Sequence, residues 1–159
     1  MEYSPEFISD FARRTLHNLD RIKQAEDEGE VNVYPVTQLW NSLLGLIVLP
    51  RERDGDRIPK MPISDLWAGG RPLVTERKGA SRTLRQLVTS LRNAVAHGGV
   101  KFDPDEHGEI VSLTLWNLPR GEWDQPRESR TWEGFIAEPD LEPLARLIAE
   151  TYAEAFARV

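Results

Sequence analysis

Three residues on one short segment have the types that phosphate chemistry needs: Arg92, Asn93 and His97. An arginine carries a fixed charge in a planar fork that matches phosphate oxygens. An imidazole is the side chain whose ordinary pKa lies closest to neutrality, so it can take up and return a proton. An amide beside them can orient either group or donate to phosphate. In RNA the 2′-hydroxyl already stands next to the phosphate as a nucleophile, so a base and a phosphate clamp suffice for cleavage without a metal.

These residues need a helix to position them. Leu84, Leu87, Val88, Leu91, Ala94 and Val95 recur at helical spacing, Ser81 can cap the start, and Gly98-Gly99 ends the helix directly after His97. At ~100° per residue, Arg92 and His97 lie about 140° apart on the polar arc, with small Ala96 and polar Asn93 between them. The result is a shallow saddle between a fixed cation and a titratable base. The residues alone leave a second reading open, in which His97 meets helix-end carbonyls, where a cation suits the dipole, and Arg92 is a solvated surface residue.

Charge points to the same segment. The chain carries a net charge of −6, which argues against coating nucleic acid by bulk electrostatics. Yet Arg71, Arg77, Lys78, Arg82, Arg85 and Arg92 face only the acid Glu76 between positions 71 and 92. Within this anion-seeking stretch Arg77, Lys78, Arg82, Arg85 and Gln86 are the candidate RNA-binding residues.

Several chemistries are excluded or disfavoured. With no cysteine there is no disulfide, thiolate nucleophile or Cys-based zinc site, and His17, His97 and His107 show no metal-ligand spacing. No metal and no cofactor are expected. The longest apolar run, Leu43 to Leu49, is too short to span a bilayer, and Met1 to Pro5 is not a basic signal-peptide lead, so no membrane role and a cytoplasmic location are expected.

Along the chain, Ser4-Pro5 predicts a helix start, with Ile8, Phe11, Thr15, Leu19 and Ile22 carrying the helix to about Glu26. A second helix runs from Val36 to Pro50, which stops it, and its wide apolar arc places it at the centre of the core with Trp40 buried. Gln38 and Asn41 on that helix are read as buried amides in need of partners. Residues 50 to 80 read as a long surface loop, rich in Pro, Gly and charge. A small antiparallel β-meander is predicted over 100–137: Val100 to Phe102, Ile110 to Trp116 and Thr131 to Ile136, with His107 in an exposed turn. Asp140 opens a last helix through Leu141, Leu144, Ile148, Tyr152 and Phe156. His17, near Arg13, Arg14 and Arg21, lies on a solvated face, and of the tryptophans only Trp67 and Trp123 are placed to stack on bases. The length fits a single domain, 1–159.

The string Leu91-Arg92-Asn93-Ala94-Val95-Ala96-His97-Gly98 resembles the signature of the HEPN superfamily: Arg, a short spacer and His, often with a polar residue directly after the Arg. Phe11-Ala12-Arg13-Arg14-Thr15-Leu16-His17-Asn18-Leu19 and Val36-Thr37-Gln38-Leu39-Trp40-Asn41-Ser42-Leu43-Leu44-Gly45-Leu46 resemble the first two helices of a HEPN subfamily from bacterial plasmids and defence loci. The resemblance implies a mainly α fold, a HEPN-like bundle of about four main helices with the meander as an insertion. It also implies a homodimer bringing two Arg and two His into one cleft. The implied activity is that of a metal-independent endoribonuclease in toxin-antitoxin or antiviral defence, with RNA and a protein or RNA antitoxin as partners. On this resemblance Arg92 and His97 are catalytic and Asn93 assists. The rival reading is a non-catalytic HEPN-like dimeric scaffold or a nucleotide- or RNA-binding module.

Overall fold

In the computed structural model, which describes residues 7–30, 34–68, 70–119 and 126–157, the chain forms two compact units. The first comprises Met1–Ile58 with Leu141–Val159, and the second is Pro59–Asp140.

The first unit is helical. Helix α1 (Phe7–Asp27) buries Ile8, Ala12, Thr15 and Leu19 along one stripe, the spacing that marks an amphipathic helix. The Ser4-Pro5 start lies outside the described residues. Helix α2 (Pro35–Asp54) has Pro at its first position, where a missing N–H costs nothing, and buries Leu39, Leu43, Leu46, Ile47 and Pro50. Pro50 does not stop it. The ring removes one backbone bond, but Arg51, Glu52 and Arg53 are good helix formers and carry the helix one turn further. Arg53 there lies over the Phe7 ring at 4.9 Å, and just beyond the helix Arg57 lies over Phe156 at 5.1 Å. The apolar arc of α2 is narrower than expected: Gln38, Asn41 and Leu49 are exposed and Trp40 is only half-buried. Gln38 and Asn41 are therefore not buried amides.

The last helix, α5 (Glu138–Ala155), buries Leu141, Leu144, Ala145, Ile148, Ala149 and Tyr152, and Phe156 follows edge-on to Tyr152 at 5.6 Å. Ser9 of α1 donates to the Ala153 carbonyl at 2.9 Å, and Arg146 donates to both Glu142 and Asp20 at 2.7 Å. Burial pushes the Tyr152 hydroxyl far up from its ordinary value.

The second unit builds a helix on a sheet. It contains α3 (Ile63–Leu66), β1 (Thr75–Lys78), α4 (Leu84–Ala96), β2 (Val100–Pro104), β3 (Ile110–Asn117), a 3₁₀ turn (Arg127–Ser129) and β4 (Trp132–Ala137). The strands form one antiparallel sheet in the order β1-β4-β3-β2. In register, Leu113 faces Ile136 and Leu115 faces Gly134, and the inward side chains of Leu113, Leu115 and Ile136 are fully buried. The fold is thus mainly α with a small antiparallel sheet ahead of the last helix, as the sequence predicts.

The stretch 50–80 is not a loop without structure. It holds the last turn of α2, the single turn α3 and the edge strand β1, and it buries Ile58, Leu66 and Val74. β1 pairs with β4 more than fifty residues later, Thr75 facing Phe135, and such long-range pairing leaves no local periodicity to read. Its four residues, Thr-Glu-Arg-Lys, are those of a charged edge strand. Arg71 grips buried Asp140 with both terminal guanidinium nitrogens, Nη1 at 2.7 Å.

Candidate functional site

Helix α4 carries the predicted residues, and its two ends fix where they stand. At the start the cap is Thr83, not Ser81: the Thr83 hydroxyl accepts from the Gln86 N–H at 3.3 Å, while Gln86 Oε1 accepts from the Arg82 N–H at 2.7 Å. Ser81 is buried and has other work. Its N–H and hydroxyl both donate to Glu76, at 2.9 and 2.6 Å, and the Trp132 indole N–H donates to the same carboxylate at 2.5 Å. The apolar face, Leu84, Leu87, Val88, Leu91 and Ala94, is buried, so the opposite arc is turned outward.

The C-terminal end is a complete Schellman turn. The Gly99 N–H donates to the Ala94 carbonyl at 2.8 Å and the Gly98 N–H to the Val95 carbonyl at 3.2 Å, with Gly98 left-handed at φ +69°. His97 is the C-cap, exposed, with its own N–H on the Asn93 carbonyl at 3.1 Å. Gly99 is pinned in turn to β3. The Trp116 N–H donates to its carbonyl at 2.8 Å, and a Cβ at Gly99 would lie 2.1 Å from the Trp116 oxygen. No larger residue fits there. The base candidate therefore stands on a backbone junction between helix and sheet.

Arg92, half-buried, donates through Nη1 to Asn93 Oδ1 at 3.2 Å, so the amide steers the guanidinium. Along α4, Arg92 and His97 are separated by about 7.5 Å of axial rise. Arg85 and Gln86 continue the same outward arc and line a cavity two turns back, together with Thr89 and Ser90. Arg82 is exposed, with its N–H engaged by Gln86.

Arg77 and Lys78 do not join that cavity. They sit on β1 beside a smaller pocket of about 250 Å³ that also includes Arg127, Glu128 and Glu133. Lys78 Nζ donates to the Glu128 carbonyl at 2.5 Å, and Arg77 stacks over Phe135 at 4.2 Å. At the centre is Glu133, buried, accepting from Arg127 at 2.6 Å and Arg130 at 2.6 Å. The Arg127 hydrogen bond, aided by Arg130, holds this carboxyl below its ordinary range even though burial pushes the other way.

The residues that sequence reasoning missed are the carboxylate hub Glu76 and Asn117, whose Nδ2 donates to the Ser90 carbonyl at 3.0 Å. Glu76 had one visible sign, as the single acid in a run of cations; Asn117 had none. His17 and His107 are exposed, Trp67 is half-buried, and Trp123 lies outside the described residues. Among the described residues no group of three His, Asp or Glu could hold a metal ion, and no helix is long and apolar enough to cross a membrane.

The mainly α fold that carries this helix is that of a HEPN domain, a class of nuclease or nucleotide-binding modules that commonly bind RNA and dimerise. Over residues 1–157 the chain matches the family model described as HEPN pEK499 p136, and it belongs to that family. No curated protein and no solved structure matches it.

Proposed function

We propose that this chain is a metal-independent endoribonuclease that acts as a homodimer on RNA, as a toxin or antiviral defence effector. The observation that carries the reading is the placement of His97, held outward at the end of α4 by the Schellman turn, on the same helix as an Arg92 steered by Asn93.

In this mechanism His97 takes the proton of a 2′-hydroxyl, the O2′–P bond forms, and the P–O5′ bond breaks. The products carry a 2′,3′-cyclic phosphate and a 5′-hydroxyl. Arg92 holds the phosphate oxygens as their charge grows. The departing O5′ needs a proton, and one protomer offers a single imidazole beside Arg92. A two-fold axis next to α4 supplies the second, since an isologous interface repeats every group.

The test is incubation of the purified protein with RNA in excess chelator, with the ends analysed chemically. Cyclic phosphate and 5′-hydroxyl ends are expected, and a single 2′-deoxy substitution at the cut should block it. Cleavage lost in chelator and restored by magnesium overturns the mechanism. RNA bound but never cut would leave the binding module or scaffold.

A further inference from the structure

The cations gathered around Glu133 exceed what that carboxylate can use. Arg127 donates to it through Nε at 3.2 Å and Nη2 at 2.6 Å, and Arg130 through Nη1 at 2.6 Å. Arg77 Nη1 stands 4.0 Å away, and Lys78 gives its proton to a backbone carbonyl, that of Glu128. Among the described residues, four cations thus meet two acids, Glu133 and the exposed Glu128, in a chain of net charge −6. Like charges held together repel, and an anion between them relieves that. We propose that the cavity of about 250 Å³ lined by Arg77, Lys78 and Arg127 is a subsite for one phosphate group.

The backbone is shaped to bring these cations to one place. In a regular strand neighbouring side chains point to opposite faces, and Arg77 and Lys78 would part. Here the register slips. Glu76 faces Gly134 and Lys78 faces Glu133, which leaves Arg77 as the extra residue of a β-bulge, a device that re-aims side chains. Both side chains consequently line the one cavity, and the 3₁₀ turn adds Arg127. The cations are also held still. Arg77 lies over Phe135 at 4.2 Å, Arg130 lies over Trp116 at 4.1 Å, and the Lys78 bond ties strand to turn. Little ordering is left for a ligand to impose.

The chemistry of the lining names the class of ligand. A guanidinium has five N–H donors and an ammonium three, and neither accepts. Arg127 spends two of its five on Glu133 and Lys78 one of its three on Glu128, so both have donors to spare. A tetrahedral phosphate turns oxygens toward three cations at once, whereas a carboxylate has two. Small-molecule sites start near 300 Å³, so a cavity of about 250 Å³ suits a single phosphate group rather than a whole nucleotide. The RNA backbone and free phosphate both supply that group.

The subsite is separate from the cutting residues and does not rest on the ribonuclease reading. Trp132 lines the cavity beside α4, so Glu133, next along β4, points to the other face of the sheet.

The test adds three probes to the full chain and follows amide resonances: inorganic phosphate, a 2′-O-methyl RNA decamer without terminal phosphates, and hexaglutamate. The methyl groups block the 2′-hydroxyls, so no cutting intervenes. Phosphate should shift the amides of Lys78, Glu128 and Glu133, and hexaglutamate should not. The same shifts from the decamer make the RNA backbone the source; shifts from phosphate alone make it free phosphate. Arg77→Gln combined with Lys78→Gln, both exposed, should weaken the bound probe about tenfold and reduce the decamer's salt slope by about 0.7, the share of one single-strand phosphate. No shift from either phosphate probe, equal shifts from hexaglutamate, or binding indifferent to the double variant overturns the proposal. If the variant fails to fold, the three-probe comparison decides alone. A chain that takes phosphate here and never cuts RNA refutes the ribonuclease and spares the subsite; one that cuts RNA and fails these tests does the reverse.

Discussion

Replacing Gly99 by alanine adds one methyl group at the junction of α4 with β3. The new Cβ would lie 2.1 Å from the Trp116 carbonyl oxygen and 3.4 Å from that of Ala94. Both are backbone atoms of regular elements and cannot swing aside as a flexible side chain would. Relief must come from moving the helix end or the strand, which weakens the Gly99 to Ala94 and Trp116 to Gly99 hydrogen bonds, each 2.8 Å long. Overpacking costs roughly 1–3 kcal/mol and each bond about 1 kcal/mol, offset by somewhat under 1 kcal/mol from a stiffer unfolded chain. The net is about 3 kcal/mol, or a melting temperature lower by roughly 6–12 °C in a chain of this size. Gly98→Ala is the control. A Cβ there meets open space and costs only its left-handed backbone, roughly 1–2 kcal/mol. Thermal melts followed by circular dichroism decide. A Gly99→Ala protein melting within about 2 °C of the parent, or Gly98→Ala doing the greater damage, would refute the close-approach argument.

Other expectations concern the site and its surroundings. His97→Ala should cost on the order of 10²–10⁴ in cleavage rate and leave the melting temperature unchanged, because the side chain is exposed. Arg92→Lys should lose at least about 100-fold, since an ammonium offers no planar fork; full activity would make Arg92 a steering charge. Glu133→Gln should lower the melting temperature at neutral pH, and the difference should shrink on acidification. The arginine bonds put the folded Glu133 pKa below the unfolded one, so its stabilisation is whole above about pH 4.3 and drains as pH falls through the folded value. A difference unchanged from pH 7 to pH 3 would sink that account. Sedimentation should show a dimer, and a stable monomer with full ribonuclease activity would defeat the two-fold mechanism.

Features written in local spacing could be read from the chain alone. The apolar repeat from Leu84 to Ala94 and the Gly98-Gly99 stop set α4 within a residue or two, and alternation from Ile110 to Trp116 set β3. Features made by distant partners could not. β1 has four residues and no apolar alternation, and it is a strand because β4 pairs with it. Ser81 has the chemistry of a helix cap, but Glu76 takes both its donors and Thr83 caps instead. Proline at position 50 gave a stop signal that the helix formers after it overrode. At the site, the order Arg92, Asn93, His97 was visible, whereas the cavity beside Arg85 needs a turn and a strand brought from elsewhere in the sequence.

The division of the chain also sets how much loop each unit must close to form. The second unit is one uninterrupted stretch, 59–140, so α4 and all four strands find their partners within about eighty residues of chain. The first unit is split: α1 and α2 precede that stretch, and the groups they meet, such as the Ala153 carbonyl that accepts from Ser9, follow it. Contact between α1 and the last helix therefore closes a loop of 144 residues, a larger entropic cost than any pairing inside the second unit. The helix bearing Arg92 and His97 has its whole supporting sheet within that same contiguous stretch.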